Sequence, residues 1–161
     1  EFSVNIALVY KKRPVLGVIY VPITSELFSA VEGYGAYYES PLGEIERIHV
    51  SDRLDKLVAV RSRSRISPRL MEHYNQMDGI STVIKLGSSL KGCYIAKGDA
   101  DIYYSMGHTM EWDTAAMEMI VTEAAGIFRQ LDGTIMQYNR KDVLNRKGFY
   151  ILNKTDNRLD I

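Results

Sequence analysis

One cysteine, Cys93, in 161 residues leaves no material for an internal disulfide framework or a cysteine-rich zinc site. Charge of either sign is not in excess either: 20 Lys and Arg face 20 Asp and Glu, for a formal net charge of zero. This excludes the broad basic surface of a protein that grips a nucleic-acid polymer, while a local basic pocket for one small anion stays open. No apolar run approaches the roughly 20 residues of a membrane-crossing helix, and no signal peptide is visible. No repeat or low-complexity tract stands out. A membrane partner is therefore not expected, and the lone thiol is compatible with a cytoplasmic location. What is present is a globular composition, 46 % apolar and 25 % charged. The length suits one domain, or one domain plus a piece of another. There is no initiator Met and the first residues already read as strand, so the expectation is a chain that begins inside a folded element of a longer protein.

Period-two alternation from Phe2 to Tyr10 sets Phe2, Val4, Ile6, Leu8 and Tyr10 on one strand face. Lys11-Lys12-Arg13-Pro14 reads as an exposed turn and Val15 to Val21 as a strand ended by Pro22. Leu27 to Val31 and Ala36 to Tyr38 follow, with Gly33-Tyr34-Gly35 between them. Links this short imply an antiparallel meander. Composition shifts near residues 43–52, and strands then alternate with helices. Strands are predicted at 48–50, 57–60, 83–86, 100–104, 126–129 and 149–152. Helices are predicted from Ser67-Pro68 to about Met77, from Leu90 to Lys97, and from Thr109 to Gly126. The fold class is α/β (α+β overall). Residues 1–46 would supply antiparallel strands of an N-terminal sheet, and 47–161 an α/β C-terminal domain.

The chain is organised around that last helix. Trp112, Ala115, Ala116, Met119, Ile120 and Ala124 fall at the spacing of one buried face. Thr109 is the candidate N-cap and Gly126 the candidate C′ residue. Asp113 then sits in the first turn, where backbone N–H groups favour a carboxylate. A carboxylate held there is able to ligate a hard cation such as Mg²⁺; acidic residues also occupy helix starts for purely structural reasons. Leu86-Gly87-Ser88-Ser89-Leu90-Lys91 runs from strand to helix with two hydroxyls and an ammonium, the ingredients of a phosphate cradle. Its glycine spacing is not that of a Walker motif. Taken alone it also reads as an N-cap serine followed by a solvated lysine. Arg61-Ser62-Arg63-Ser64-Arg65 ends a strand with three cations, either a solvated loop or a phosphate contact. Asp99 and Asp101 read as turn residues. His108 is a lone loop histidine near Asp113, and Cys93 is expected to be buried in a helix and inert.

Gly-Ser-Ser-Leu-Lys at 87–91, Gly-Asp-Ala-Asp-Ile-Tyr at 98–103 and Trp-Asp-Thr-Ala-Ala at 112–116 occur in this order. Tyr-Asn-Arg…Leu-Asn at 138–145 closes the set. Together they resemble the inositol monophosphatase superfamily, and within it the bacterial 3′(2′),5′-bisphosphate nucleotidases. Glu1-Phe2 and Gly17-Val-Ile-Tyr-Val-Pro22 are similar to that family too. The resemblance implies a layered sugar-phosphatase-type fold and hydrolysis of a small phosphorylated substrate with two or three Mg²⁺ ions. Asp113 would correspond to a metal ligand. Ser88 and Lys91 would correspond to phosphate contacts, and Ser64 and Arg65 to part of a Ser-Arg-Ser-His stretch. The chain departs from the pattern in three places. The family's upstream Glu and Asp-Pro-Leu/Ile-Asp-Gly-Thr motif are not in this sequence. Arg65 stands where the nucleotidases have His. Ser105 stands where nucleotidases tend to have Arg and inositol phosphatases Glu. With one metal carboxylate left, this chain is expected to be inactive alone. An inositol-monophosphatase-like enzyme and a non-catalytic anion-binding module are the alternatives, and unpaired strand edges would favour a homo-oligomer.

Overall fold

The N-terminal strands form the meander that their short links predict. In the computed structural model, which describes residues 2–63, 67–76, 79–107 and 109–159, β1 (Val4–Tyr10), β2 (Arg13–Val21), β3 (Glu26–Val31), β4 (Gly35–Glu39) and β5 (Ile45–Ile48) pair antiparallel in that order. Lys11 and Lys12 alone make the first turn, with φ of 45° and 65°, the left-handed pair that matches strand twist in a two-residue hairpin. Arg13 and Pro14 therefore belong to β2 and not to the turn. The strand predicted at 48–50 lies three residues earlier, as β5 on the edge of this sheet.

The apolar alternation of β1 faces the opposite way from a core strand. Phe2, Val4, Ile6, Leu8 and Tyr10 are exposed, while Ser3, Asn5, Ala7 and Val9 turn inward. Period two fixes which residues share a face but not which face is covered. The register shows what decides it. Ala7 pairs with Gly17, Gly17 with Ala30, and Ala30 with Ala36. These four small residues form a row across four strands, and a helix lies on it.

That helix is α3 (Glu111–Glu123); in chain order it follows α1 (Pro68–Gln76) and α2 (Leu90–Ala96). α3 packs on β1–β4 from one side and on α2 and β9 from the other. Residues Thr114 to Val121 are consequently all buried, so one apolar stripe does not describe it. Trp112, expected on the buried face, is 62 % exposed, in the first turn of α3, where it borders a groove shared with β1. At the other end Ala125, not Gly126, takes the left-handed C′ position with φ 64°. The Gly126 N–H reaches the Val121 carbonyl at 2.9 Å and the Ala125 N–H the Thr122 carbonyl at 3.1 Å, the paired bonds of a Schellman ending. Gly126 is small for another reason: a Cβ there would sit 2.9 Å from Val50 and Val121 methyl carbons.

The second sheet is mixed, in the order β7 (Ile80–Leu86), β6 (Leu57–Ser62), β8 (Ile102–Ser105), β10 (Phe149–Leu152), β9 (Ile127–Gln130). β6 runs parallel to β7 and β8, and β10 antiparallel to β8 and β9. α2 covers one face. Leu70 and Tyr74 of α1 join the core on the other, with Ala59, Ile102, Tyr104 and Leu152. Strands covered on both faces need no alternation, which is why Phe149-Tyr-Ile-Leu152 is buried throughout. Among the described residues no helix is long and apolar enough to cross a membrane.

One charge lies deep in the first core. Glu118 of α3 has a fully buried side chain. It accepts the Tyr138 hydroxyl at 2.6 Å and an ion-paired hydrogen bond from the Arg13 guanidinium. Burial pushes the Glu118 carboxyl above its ordinary value, and the Tyr138 and Arg13 contacts oppose that only in part. The folded state thus holds the proton more tightly than the unfolded chain. From about pH 4.5, the ordinary glutamate value, Glu118 weakens folding as pH rises through its elevated value, because the native state binds more protons than the unfolded state there. Urea midpoints should therefore fall more with rising pH in the wild-type chain than in Glu118→Gln over the weakly acidic range. Parallel profiles would mean that Glu118 titrates normally.

Candidate functional site

Asp113 occupies the third position of α3. Met110, with extended φ −107° and ψ 167°, is the N-cap residue in place of the expected Thr109. The Asp113 Oδ2 accepts the Met110 N–H at 2.7 Å, the reciprocal half of a capping box. This bond fixes the carboxylate at the helix mouth. Thr109 instead contributes a hydroxyl that accepts from Asn145 Nδ2 at 3.0 Å.

The serine–lysine turn meets this helix start directly. Ser89, not Ser88, precedes α2. Ser88 takes φ 49°, a left-handed conformation uncommon for a residue with a Cβ, and its Oγ lies 2.5 Å from Ser3 Oγ. Ser89 donates to the Asp113 carbonyl at 3.2 Å and accepts from Asn5 Nδ2 at 2.8 Å. Ser3 and Asn5 on the inward face of β1, the turn and α3 are thereby tied together. Lys91 is not the solvated side chain that its position allows. It is 8 % exposed, its ammonium donates to the Ser88 carbonyl, and it stands 5.3 Å from the Tyr103 ring centroid, within cation–π range. Burial pushes the Tyr103 phenol up to about 12 against a hydrogen bond with Ser105, so the ring stays neutral beside the ammonium.

Ser88, Lys91 and Asp113 line one cavity of about 130 Å³, together with Ser89, Thr109, Thr114, Tyr103, Met117 and Phe149. Tyr103 and Thr114 fall inside the 98–103 and 112–116 motifs but have no role assigned by spacing, and Phe149 reads as ordinary core. Ser3 and Asn5 carried a faint signal, as polar residues on an otherwise small-residue strand face. A wider groove of about 420 Å³ lies beyond edge strand β1, between Ile6, Trp112 and Tyr138. It contains none of the three, and its one carboxylate, Glu111, is held by Arg140 Nε at 2.8 Å and by the Asn139 and Arg140 N–H groups. The smaller cavity is therefore the candidate site.

The other candidates divide. Arg61, Ser62 and Arg63 do not line the cavity. Ser64, Arg65 and His108 lie outside the described residues. Asp101 is no turn residue: its buried carboxylate accepts from Arg53 Nε at 2.9 Å, the Val58 N–H at 2.7 Å and Asn153 at 3.2 Å, and from the Ser51 hydroxyl. Cys93 is buried, and burial pushes its thiol far up, as expected of an inert core cysteine. Among the described residues no three His, Cys, Asp or Glu side chains come close enough to hold a metal ion. A single carboxylate does not fit a cluster of two or three Mg²⁺ ions, which take several oxygen ligands each.

The two-sheet α+β fold, with a hydroxyl, an ammonium and a carboxylate at one helix mouth, is the framework against which known proteins compare. The model of the inositol monophosphatase family matches residues 1–158, and the chain belongs to that family. It is 35 % identical over 151 residues to the 3′(2′),5′-bisphosphate nucleotidase CysQ of Salmonella typhimurium, covering 94 % of this chain and 60 % of that protein. The CysQ of Buchnera aphidicola is 38 % identical over 153 residues, covering 93 % and 56 %. Among solved structures, CysQ from Bacteroides thetaiotaomicron, described as a bacterial member of the inositol monophosphatase family, superposes with a TM-score of 0.84 at 36 % identity, covering 94 % of this chain and 63 % of that one. The chain thus spans about 60 % of the length of the curated relatives it matches.

Proposed function

We propose that this chain supplies the phosphate-facing part of a Mg²⁺-dependent phosphomonoesterase that removes the 3′(2′)-phosphate from nucleotides of the adenosine 3′,5′-bisphosphate type. The observation that carries the reading is the convergence of Ser88, Lys91 and Asp113 on one cavity. A buried ammonium is a strong partner for a phosphate dianion, and Ser88 adds a hydroxyl. Asp113 would repel the same phosphate unless a cation lies between them, and this favours a metal-dependent reaction in a protein of the relatives' length. The relatives named as bisphosphate nucleotidases favour a nucleotide over inositol 1-phosphate. Because one carboxylate does not hold the metal cluster, the 161-residue chain is expected to bind phosphate without hydrolysing its ester.

Calorimetric titration tests this. Inorganic phosphate and adenosine 3′,5′-bisphosphate should bind the chain, and Lys91→Gln should weaken both by about 10-fold or more, the scale of one charge-assisted hydrogen bond. Equal affinity of variant and wild type would remove Lys91 from the site. Phosphate release by the chain with Mg²⁺ present would refute its inactivity. In a protein extended to the relatives' length, Asp113→Asn should abolish turnover. A binding module would show no turnover to lose. Parallel assays on adenosine 3′,5′-bisphosphate and inositol 1-phosphate decide the substrate.

A further inference from the structure

The Tyr-Asn-Arg…Leu-Asn motif at 138–145 lies in the link between β9 and β10 and lines no part of the cavity of about 130 Å³. It is folded instead against the start of α3. Met110 and Leu144 form an antiparallel bridge, and the Glu111 N–H donates to the Val143 carbonyl at 3.0 Å. Asn145 is 2 % exposed and sits at the centre of these contacts. Its backbone N–H donates to the Thr109 carbonyl at 2.8 Å. Its Nδ2 donates to the Met110 carbonyl at 3.0 Å and to the Thr109 and Thr114 hydroxyls at 3.0 and 3.2 Å. Arg140 sets the direction of that amide. Its Nη2 donates to Asn145 Oδ1 at 2.7 Å while its Nε donates to Glu111 at 2.8 Å. A guanidinium has no acceptor, so the amide oxygen faces it and the amide N–H groups turn to the helix start.

We propose that Asn145, oriented by Arg140, is a positioning residue for the Asp113 carboxylate. The link runs through one peptide unit. The Thr109 carbonyl and the Met110 N–H belong to the same planar trans group and point opposite ways. Asn145 holds the carbonyl end, and the N–H end donates to Asp113 Oδ2 at 2.7 Å. The Met110 carbonyl, on the next peptide, is held by the Asn145 side chain. With both carbonyls held, the extended backbone of Met110 is fixed, and its N–H stays aimed at Asp113. Thr109 and Thr114, whose hydroxyls Asn145 also holds, line the same cavity. Every partner named lies within this chain. The Lys91 ammonium is held elsewhere, by the Ser88 carbonyl and the Tyr103 ring. Loss of Asn145 should therefore displace the carboxylate and leave the ammonium in place. The part of Asn145 in turnover rests on the phosphatase reading above; its part in holding Asp113 does not.

Amide hydrogen exchange on the 161-residue chain tests this. Asn145→Ala should speed exchange at Met110 by about 10-fold, the scale of one lost hydrogen bond, and leave Met117 to Val121 in the middle of α3 unchanged. A general loss of packing would instead speed exchange along the whole helix. Arg140→Lys guards against a folding defect in the alanine variant. The Arg140 side chain is 26 % exposed, and lysine keeps a cation for Glu111 but loses the fork that also reaches Asn145. It should speed Met110 exchange in the same direction. In a protein of the relatives' length, both variants should lower kcat on adenosine 3′,5′-bisphosphate by about 10- to 100-fold, with KM little changed, at a temperature where circular dichroism shows them fully folded. Met110 exchange unchanged in either variant, or raised no more than that of Met117 to Val121, would overturn the proposal. So would an unchanged kcat in an extended protein whose Asp113→Asn variant is inactive. That control separates the two claims. Turnover that survives Asp113→Asn, or none in the wild type, counts against the phosphatase reading, and the exchange result still decides what holds Asp113.

Discussion

Gly17→Val should lower the unfolding free energy by roughly 3 kcal/mol and the thermal midpoint by about 10 °C. Gly17 lies in β2 at the point where α3 crosses the small-residue row. A Cβ there would stand 2.6 Å from the Ala116 carbonyl oxygen and 3.0 Å from Ala116 Cα and Met119 Cβ. Two of those three atoms are backbone, so no rotamer change relieves the overlap; strand and helix must separate. Separation opens the interface that buries Ala115, Ala116, Met119 and Ile120, and dispersion is lost along the whole contact. The comparison is Gly33→Ala. Gly33 also resists substitution, through its φ of +78°, yet nothing lies within 4 Å of its would-be Cβ. It should cost only about 1 kcal/mol, the left-handed penalty of a single alanine. Urea denaturation of both variants checks the pair. Equal losses would mean that close approach of α3 is not what Gly17 serves.

Asp101→Ala should cost about 3–5 kcal/mol, the scale of breaking a buried ion pair. Its side chain has no exposure, and it anchors β8 to the loop before β6 and to the end of β10. Removing it strands the Val58 N–H and part of the Asn153 amide in the interior, each an uncompensated donor. Arg53→Met should cost less. Arg53 is 37 % exposed, and after its loss Asp101 keeps the Val58, Ser51 and Asn153 donors. A larger loss from Arg53→Met than from Asp101→Ala would locate the energy in the guanidinium packing and not in the carboxylate.

The elements themselves could be read from local pattern: turn residues and period marked every strand but β5, and Ser67-Pro68 opened α1 at Pro68. What local pattern did not carry was which surface each element turns to another. The alternation of β1 named a face correctly, but the covered side was fixed by Ala7, Gly17, Ala30 and Ala36, which come together only after three hairpins form. Asp101 looked like a turn acid because Arg53 and Asn153, which hold it, lie 48 and 52 residues away. The site shows the same division. Residue chemistry alone leaves Ser88, Lys91 and Asp113 open between structural and binding roles, the resemblance implies the binding ones, and the fold brings all three to one cavity. Phe149, which walls it, carries no chemical signature that separates a cavity lining from a core, and Tyr103 is marked only as the last residue of the 98–103 motif. Thr109 reads as the cap and Met110 is the cap, while the Thr109 hydroxyl is taken up by Asn145, a residue 36 positions later that local pattern does not bring near.

Backbone amide shifts followed by NMR as inorganic phosphate is added test most directly whether the Ser88–Lys91 turn and the start of α3 form one phosphate-facing site. Saturable shifts at Ser88, Ser89, Lys91, Asp113 and Thr114, moved to about 10-fold or more higher phosphate by Lys91→Gln, are the expected result. Shifts confined to the end of β6 around Arg61 and Ser62, with Asp113 and Thr114 unmoved, would contradict it.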